Sequence, residues 1–237
     1  MNYEEELVND PAYVIDAATG EEKAKLAEQQ WASFDQTQAF AEHRVHRAAN
    51  VPARYRKAAP TEPTVERWVK SIVEHAKKND PKRIAPEVTE GPSLLIIGSV
   101  GTGKTYQCYG ALRALHLAGL RGAFTYGLLA TIINDIRAAD FSEAKDRVKR
   151  LRETNLLMLD DVGYSRHTEY SEEVVFEVLN YRYENFLPTL VTTNVKGQAE
   201  LDAHLGPRLT ERLLQMAHPL VLDNESRRQN ARDDWSI

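Results

Sequence analysis

Cysteine is almost missing from this chain. Cys108 is the only one in 237 residues, which excludes an intramolecular disulfide and any zinc site built on cysteines. It lies in a helical pattern and reads as a small core residue. Long apolar runs are missing too: no stretch approaches the ~20 residues that span a bilayer. The opening Met-Asn-Tyr-Glu-Glu-Glu has neither the basic nor the apolar region of a signal peptide. A cytoplasmic chain with no membrane partner is expected. An excess of positive charge is also absent. Thirty Lys and Arg against 35 Asp and Glu give a net charge of −5, which does not advertise nucleic-acid binding. The charges are uneven, however. Arg44, Arg47, Arg54, Arg56 and Lys57 form one basic stretch, Lys145 to Arg152 a second, and Arg208, Arg212, Arg227, Arg228 and Arg232 a third. The second reads as a solvated helix face.

Glycine and proline are absent from 21–49, a stretch rich in Ala, Glu, Gln, Lys and Arg. That composition favours helix. Its large apolar residues, Leu26, Trp31, Phe34 and Phe40, are too few for an independent core. Residues 1–50 are therefore expected to form a small helical partner-binding segment, and 51–237 the main domain. In the latter, Val65, Trp68, Val69, Ile72, Val73 and Ala76 mark one face of an amphipathic helix, ended by Asn79-Asp-Pro81. From Ser93 onward strand and helix patterns alternate. Strands are expected at Leu94–Ile97, Ala123–Tyr126, Leu156–Leu159, Leu190–Thr193 and Pro219–Leu222. Helices are expected at Lys104–Leu117, Leu128–Ala138, Glu143–Arg152, Ser171–Phe186, Glu200–Leu205 and Pro207–Ala217. Such alternation implies an α/β fold with a mainly parallel sheet between helices.

Gly98-Ser-Val-Gly-Thr-Gly-Lys-Thr105 fits the phosphate-loop pattern G-x-x-x-x-G-K-[ST] at every fixed position. The apolar run Ser93–Ile97 precedes it and a helical segment beginning at Tyr106 follows, which is the context the motif needs. Gly98, Gly101, Thr102 and Gly103 let backbone N–H groups converge on an anion, and the helix start adds positive potential. Lys104 supplies a charge for the outer phosphates. The Thr105 hydroxyl is suited to Mg²⁺. Tyr106 stands next at the cofactor-binding edge. Leu156-Leu-Met-Leu-Asp160-Asp161 is a buried strand with two carboxylates at its tip, where open α/β sheets bind ligands. Asp160 is placed to hold Mg²⁺ and Asp161 to polarise the attacking water. Leu190-Val-Thr-Thr-Asn194 ends in an amide suited to contact the γ-phosphate or orient water. Arg208 and Arg212 lie four apart on one helix face; they suit either a surface helix paired with Glu211 or an arginine projected to the next subunit's γ-phosphate.

These elements, in this order, resemble the AAA+ ATPases, and within them the DnaC/IstB-like branch of bacterial helicase loaders and transposition ATPases. Val51-Pro-Ala-Arg-Tyr-Arg56, Gly98–Thr105, Leu156–Gly163, Tyr181-Arg-Tyr-Glu-Asn185, Pro188–Asn194 and Arg208-Leu-Thr-Glu-Arg212 carry the resemblance over roughly 50–230. It implies a five-stranded parallel sheet, a reduced or missing C-terminal lid, and an ATPase using ATP and Mg²⁺. It further implies Lys104, Thr105, Asp160 and Asp161 at the phosphates and metal. Asn194 becomes the sensor, Arg212 the arginine finger with Arg208 beside it, and Arg227 or Arg228 a second sensor. The function implied is a helicase loader in DNA replication: it binds ATP and single-stranded DNA, self-associates through the ATP site, and delivers a hexameric helicase. By similarity the helix start after the acidic pair faces DNA, so Thr168 and Tyr170, with Phe141, are expected there; ring stacking tolerates any base. Two alternatives stand beside this: a transposition ATPase assembling on duplex DNA, which Arg212-Leu-Leu-Gln-Met-Ala-His218 fits equally, and a small-molecule kinase with a phosphate loop.

Overall fold

The computed structural model describes residues 51–83, 85–163, 168–195 and 197–223. Five strands make one sheet: β1 (Ser93–Gly98), β2 (Phe124–Leu128), β3 (Leu156–Asp160), β4 (Thr189–Thr193) and β5 (Ala217–Leu222). Their order is β2-β3-β4-β1-β5 and every pairing is parallel. Parallel strands need crossover connections, and helices supply them. These are α1 (Pro63–Asn79), α2 (Lys104–Leu117), α3 (Leu129–Ala138), α4 (Phe141–Glu153), α5 (Glu169–Glu184), α6 (Gln198–Leu205) and α7 (Pro207–Met216).

The alternation of side chains along each strand divides the core in two. Leu94, Ile96, Leu156, Met158 and Leu190 face α1 and α2, where they meet Trp68, Ile72, Cys108 and Leu112. Leu95, Leu157, Leu159 and Val191 face the other way, against Ile133, Val178, Leu205 and Leu213. The central strands are buried on both faces, which is why they read as unbroken apolar runs rather than alternating ones. Cys108 lies wholly inside the first layer.

The amphipathic face expected from Val65 to Ala76 is buried as α1, and the Trp68 indole N–H donates to Pro92 O at 2.8 Å. The chain before α1 is strapped across α2. Gln107 Oε1 accepts from Thr61 N at 2.9 Å. A Cβ on Gly110 would sit 2.5 Å from the Ala59 carbonyl carbon, so only glycine allows this approach. That strap carries Arg54 and Tyr55 toward the tips of the strands.

Most element boundaries differ from the expected ones by one or two residues, and three elements show the physical reason. β2 starts one residue later than expected and runs to Leu128, because it pairs with β3 up to Asp160. The helix expected at Ser171–Phe186 is α5; it starts at a Thr168–Ser171 capping box and ends at Glu184, leaving Phe186 at a φ of 52° and exposed. Ala217 opens β5 rather than closing α7, since it pairs with Ser93. The helical segment expected at 1–50, the C-terminal lid region after 223, and Arg227 and Arg228 fall outside the described residues.

Candidate nucleotide site

The loop between β1 and α2 turns through Gly101 and Gly103, whose φ values of 91° and 99° are conformations that glycine adopts without a Cβ clash. Thr102 is buried, and its hydroxyl closes the loop by donating to Ser99 O at 2.9 Å. Gly103 caps α2, so the first helical N–H groups open toward the loop. Lys104 is 7% exposed. Its ammonium donates to Gly98 O at 2.8 Å, Ser99 O at 2.9 Å and Asn194 Oδ1 at 2.6 Å. The lysine thus spans the loop and the tip of β4.

The acidic pair sits at the tip of β3. Thr105 Oγ1 donates to Asp160 at 3.0 and 3.2 Å from its two oxygens. The Thr192 hydroxyl donates to the same carboxylate, and accepts the Asp161 N–H at 2.9 Å. Asn194 Nδ2 donates to Asp161 Oδ1. One amide therefore bridges Lys104 and Asp161. Asp161 has a φ of 60°, unusual for a residue with a Cβ, and this turns its carboxyl back over the strand tips. Burial, then the charge of Asp160, push that carboxyl above the usual carboxylate range; Lys104 and the Asn194 hydrogen bond pull the other way.

These groups line a cleft of about 480 Å³. Val100, Gly101, Gly103, Thr105 and Tyr106 form its loop side. The Thr105–Asp160 pair offers hard oxygen donors, the chemistry Mg²⁺ takes together with phosphate oxygens. The loop geometry, a charged lysine and these oxygens suit a nucleoside triphosphate and its metal. Gly98 and Thr102 do not line the cleft; they shape the loop from beneath. Five lining residues were not singled out from the sequence: Arg54, Tyr55, Val100, Leu128 and Thr192. Tyr55 stacks on Tyr109 with ring centroids 4.7 Å apart. The signal for Arg54 and Tyr55 was the Val51–Arg56 string, and for Thr192 its place beside Asn194 at a strand tip.

Arg208 and Arg212 do not line the cleft of their own chain. They line a separate groove of about 300 Å³ between α5 and α7. Thr168 and Tyr170 come together at the start of α5, where Arg137 donates to Thr168 Oγ1 at 3.0 Å and lies 5.7 Å from the Tyr170 ring centroid. The Thr168 hydroxyl also accepts from Ser171 N, so it is engaged in capping. Phe141 opens α4, exposed, with the Lys145 ammonium 4.3 Å from its ring centroid.

The sequence model of the family described as IstB-like ATP binding protein matches residues 18–234. The chain belongs to this family. The chain is 28% identical over 156 residues to the replicative helicase loader DnaI of Bacillus subtilis strain 168, covering 60% of this chain and 49% of that protein. It is 31% identical over 144 residues to the ATP-binding protein assigned to insertion sequence IS5376 of Geobacillus stearothermophilus, covering 57% and 55%. The chain thus spans about half the length of these curated relatives. Among solved structures, the DnaC helicase loader superposes with a TM-score of 0.57 at 23% identity, over 73% of this chain and 100% of that one; at that identity it supports the AAA+ fold. Among the described residues no helix is long and apolar enough to cross a membrane.

Proposed function

We propose that this protein is an ATP-hydrolysing helicase loader of DNA replication, acting in the cytoplasm. The observation that carries the reading is the bridge Lys104–Asn194–Asp161. It ties the phosphate loop, the sensor strand and the water-polarising carboxyl into one hydrogen-bonded set. A γ-phosphate taking the place of the Asn194 contact on Lys104 would free that amide to report nucleotide state. Mg²⁺, when bound, would neutralise phosphate charge beside Thr105 and Asp160. Asp161, whose carboxyl is raised from its ordinary value by burial and the Asp160 charge, acts on the water as general base. Arg212, with Arg208 beside it, serves a neighbouring subunit's γ-phosphate; their position outside their own cleft supports this. Residues 51–237 form the ATPase domain and 1–50 the partner-binding segment. Arg227 or Arg228 serves as second sensor. Thr168, Tyr170 and Phe141 meet single-stranded DNA, supported for the two tyrosine and phenylalanine rings by their exposure.

The helicase partner is supported by similarity to DnaI. A second reading, a transposition ATPase on duplex DNA, is favoured by the insertion-sequence relative and the family description. Family membership leaves the small-molecule kinase without support. The deciding test is capture of the cell's hexameric replicative helicase by the full chain, with ATP and with ADP, beside binding to single-stranded and duplex oligonucleotides. Nucleotide-dependent capture with single-strand preference is expected. Equal affinity for both DNA forms, ATP-dependent filaments on duplex and no helicase capture would move the assignment to transposition.

A further inference from the structure

The groove between α5 and α7 holds its two arginines in a specific way. Phe176 and Tyr183 lie seven apart on α5, two turns along one face. Arg208 and Arg212 lie four apart on α7. Each arginine sits over one ring: the Arg208 guanidinium carbon is 3.9 Å from the Phe176 ring centroid, and that of Arg212 is 4.2 Å from the Tyr183 ring centroid. Both distances are well inside the range of a cation held on a ring face. Arg212 Nη1 donates to Gln215 Oε1 at 3.1 Å. Its Nε is buried with no hydrogen-bond partner among the described residues.

An arginine free to sweep solvent would not leave a buried N–H unpaired; that loss has to be compensated. The ring face beneath the guanidinium and the Gln215 amide beside it compensate for it, and both fix the plane of the group. Gln215 in turn donates to Glu211 at 3.1 Å, so the amide is oriented as well. Tyr183 is 37% exposed. Its ring is an open platform rather than a core filler, and replacing it leaves the buried layers intact.

We infer that Tyr183 is a positioning residue for Arg212: its ring face pre-sets the guanidinium for a neighbouring subunit's γ-phosphate, as the Phe176 ring does for Arg208. This rests on the trans role proposed above for Arg212. A flexible arginine loses rotamer freedom when it reaches a phosphate, and one already held on a ring loses less. Truncating the ring should therefore slow turnover in the assembled state and leave nucleotide binding by the separate protomer alone.

The test uses the full chain with Tyr183→Leu, Tyr183→Gln, Tyr183→Phe, Arg212→Ala and Lys104→Ala, with ATP turnover followed across protein concentrations. The two non-aromatic variants should each lower turnover by about three- to tenfold at saturating ATP, with the Kd for ATP unchanged. Tyr183→Phe keeps the ring face and should stay within about twofold of wild type. Mixing Tyr183→Leu with Lys104→Ala protein should restore part of the activity, because the second supplies a correctly held arginine to the first one's clefts. A role in folding alone would not give that rescue. Wild-type turnover in both non-aromatic variants, or equal loss in Tyr183→Phe, overturns the inference while a dead Arg212→Ala keeps the trans reading. Full turnover in Arg212→Ala overturns both.

Discussion

β3 and β4 carry polar clusters at both ends, and the two ends are built on opposite principles. At their C-terminal tips sit Asp160, Asp161, Thr192 and Asn194, with Lys104 reaching across. The groups are charged, share hydrogen bonds among themselves, and line an open cleft. At the N-terminal ends lies Arg182, 0% exposed. Its guanidinium makes five hydrogen bonds: to Thr189 Oγ1, and to the carbonyls of Leu151, Arg152, Thr154 and Pro188. All five acceptors are neutral. Burial pushes this guanidinium down to about 9, which leaves it charged at neutral pH. The fork ties α5 to the end of α4 before β3 and to the approach to β4. A planar fork saturated by four backbone oxygens and one hydroxyl has nothing to exchange. A lysine on a cleft wall, held by acceptors that a phosphate can replace, does. One end is a fastening; the other, on the function proposed above, is a switch.

The largest test of that contrast is Arg182→Met. The substitution keeps volume and apolar contact but strands several buried carbonyls. It should destabilise the fold by roughly 3–5 kcal/mol and lower the melting temperature by roughly 6–20 °C. Nucleotide affinity of the folded fraction should not change. Denaturant unfolding and calorimetry read the two quantities separately. A loss below about 1 kcal/mol would mean that the fork stabilises little beyond its own desolvation.

Lys104→Ala should give the converse. Affinity for ATP with Mg²⁺ should fall by about a hundredfold or more, while the melting temperature moves by no more than about 2 °C. Large destabilisation with retained binding would make Lys104 a fastening like Arg182 and remove the distinction.

The two ends also differ in how far the sequence revealed them. That the phosphate loop, the acidic pair and Asn194 would meet at one cleft was readable, the loop from fixed residue types beside a strand and Asn194 from its place one helix after the carboxylate strand. The five-stranded parallel sheet was readable for a related reason: buried strands are short apolar runs separated by helical stretches. Arg182 stands in the Tyr181–Asn185 string that carries the resemblance, but no chemistry attaches to it there. Four of its five acceptors are main-chain carbonyls, which any sequence possesses, so only the packing of α5 identifies it. Thr192 was hidden because a threonine in a β strand is ordinary; what matters is that its register brings it beside Asp160. Arg54 and Tyr55 owe their place to the strap over Gly110, a contact 50 or more residues away in sequence from either strand tip. Tyr183 and Phe176 look like any amphipathic spacing until α7 is laid against them.

The smallest predicted effect concerns Asp161 and pH. Its ordinary pKa is 3.8, and burial with the Asp160 charge raises it in the folded chain. Across the window from 3.8 up to that raised value, the folded chain binds more protons at this site than the unfolded one. Stability must then fall as pH rises through the window, and the cost persists above it. Asp161→Asn removes the titration while keeping an oxygen for Asn194 Nδ2 to donate to. The stability of wild type minus that of the variant should therefore decline with rising pH and then level off, measured by thermal melts between about pH 3 and 8. The same difference taken with Arg182→Met should stay flat over that range, since the guanidinium remains charged throughout. Turnover by Asp161→Asn should be lost with ATP affinity kept, which separates the strain of the switch from its use. A difference curve that rises with pH would mean that Lys104 and Asn194 outweigh burial at Asp161. The switch end of the sheet would then be held as firmly as the fastened one.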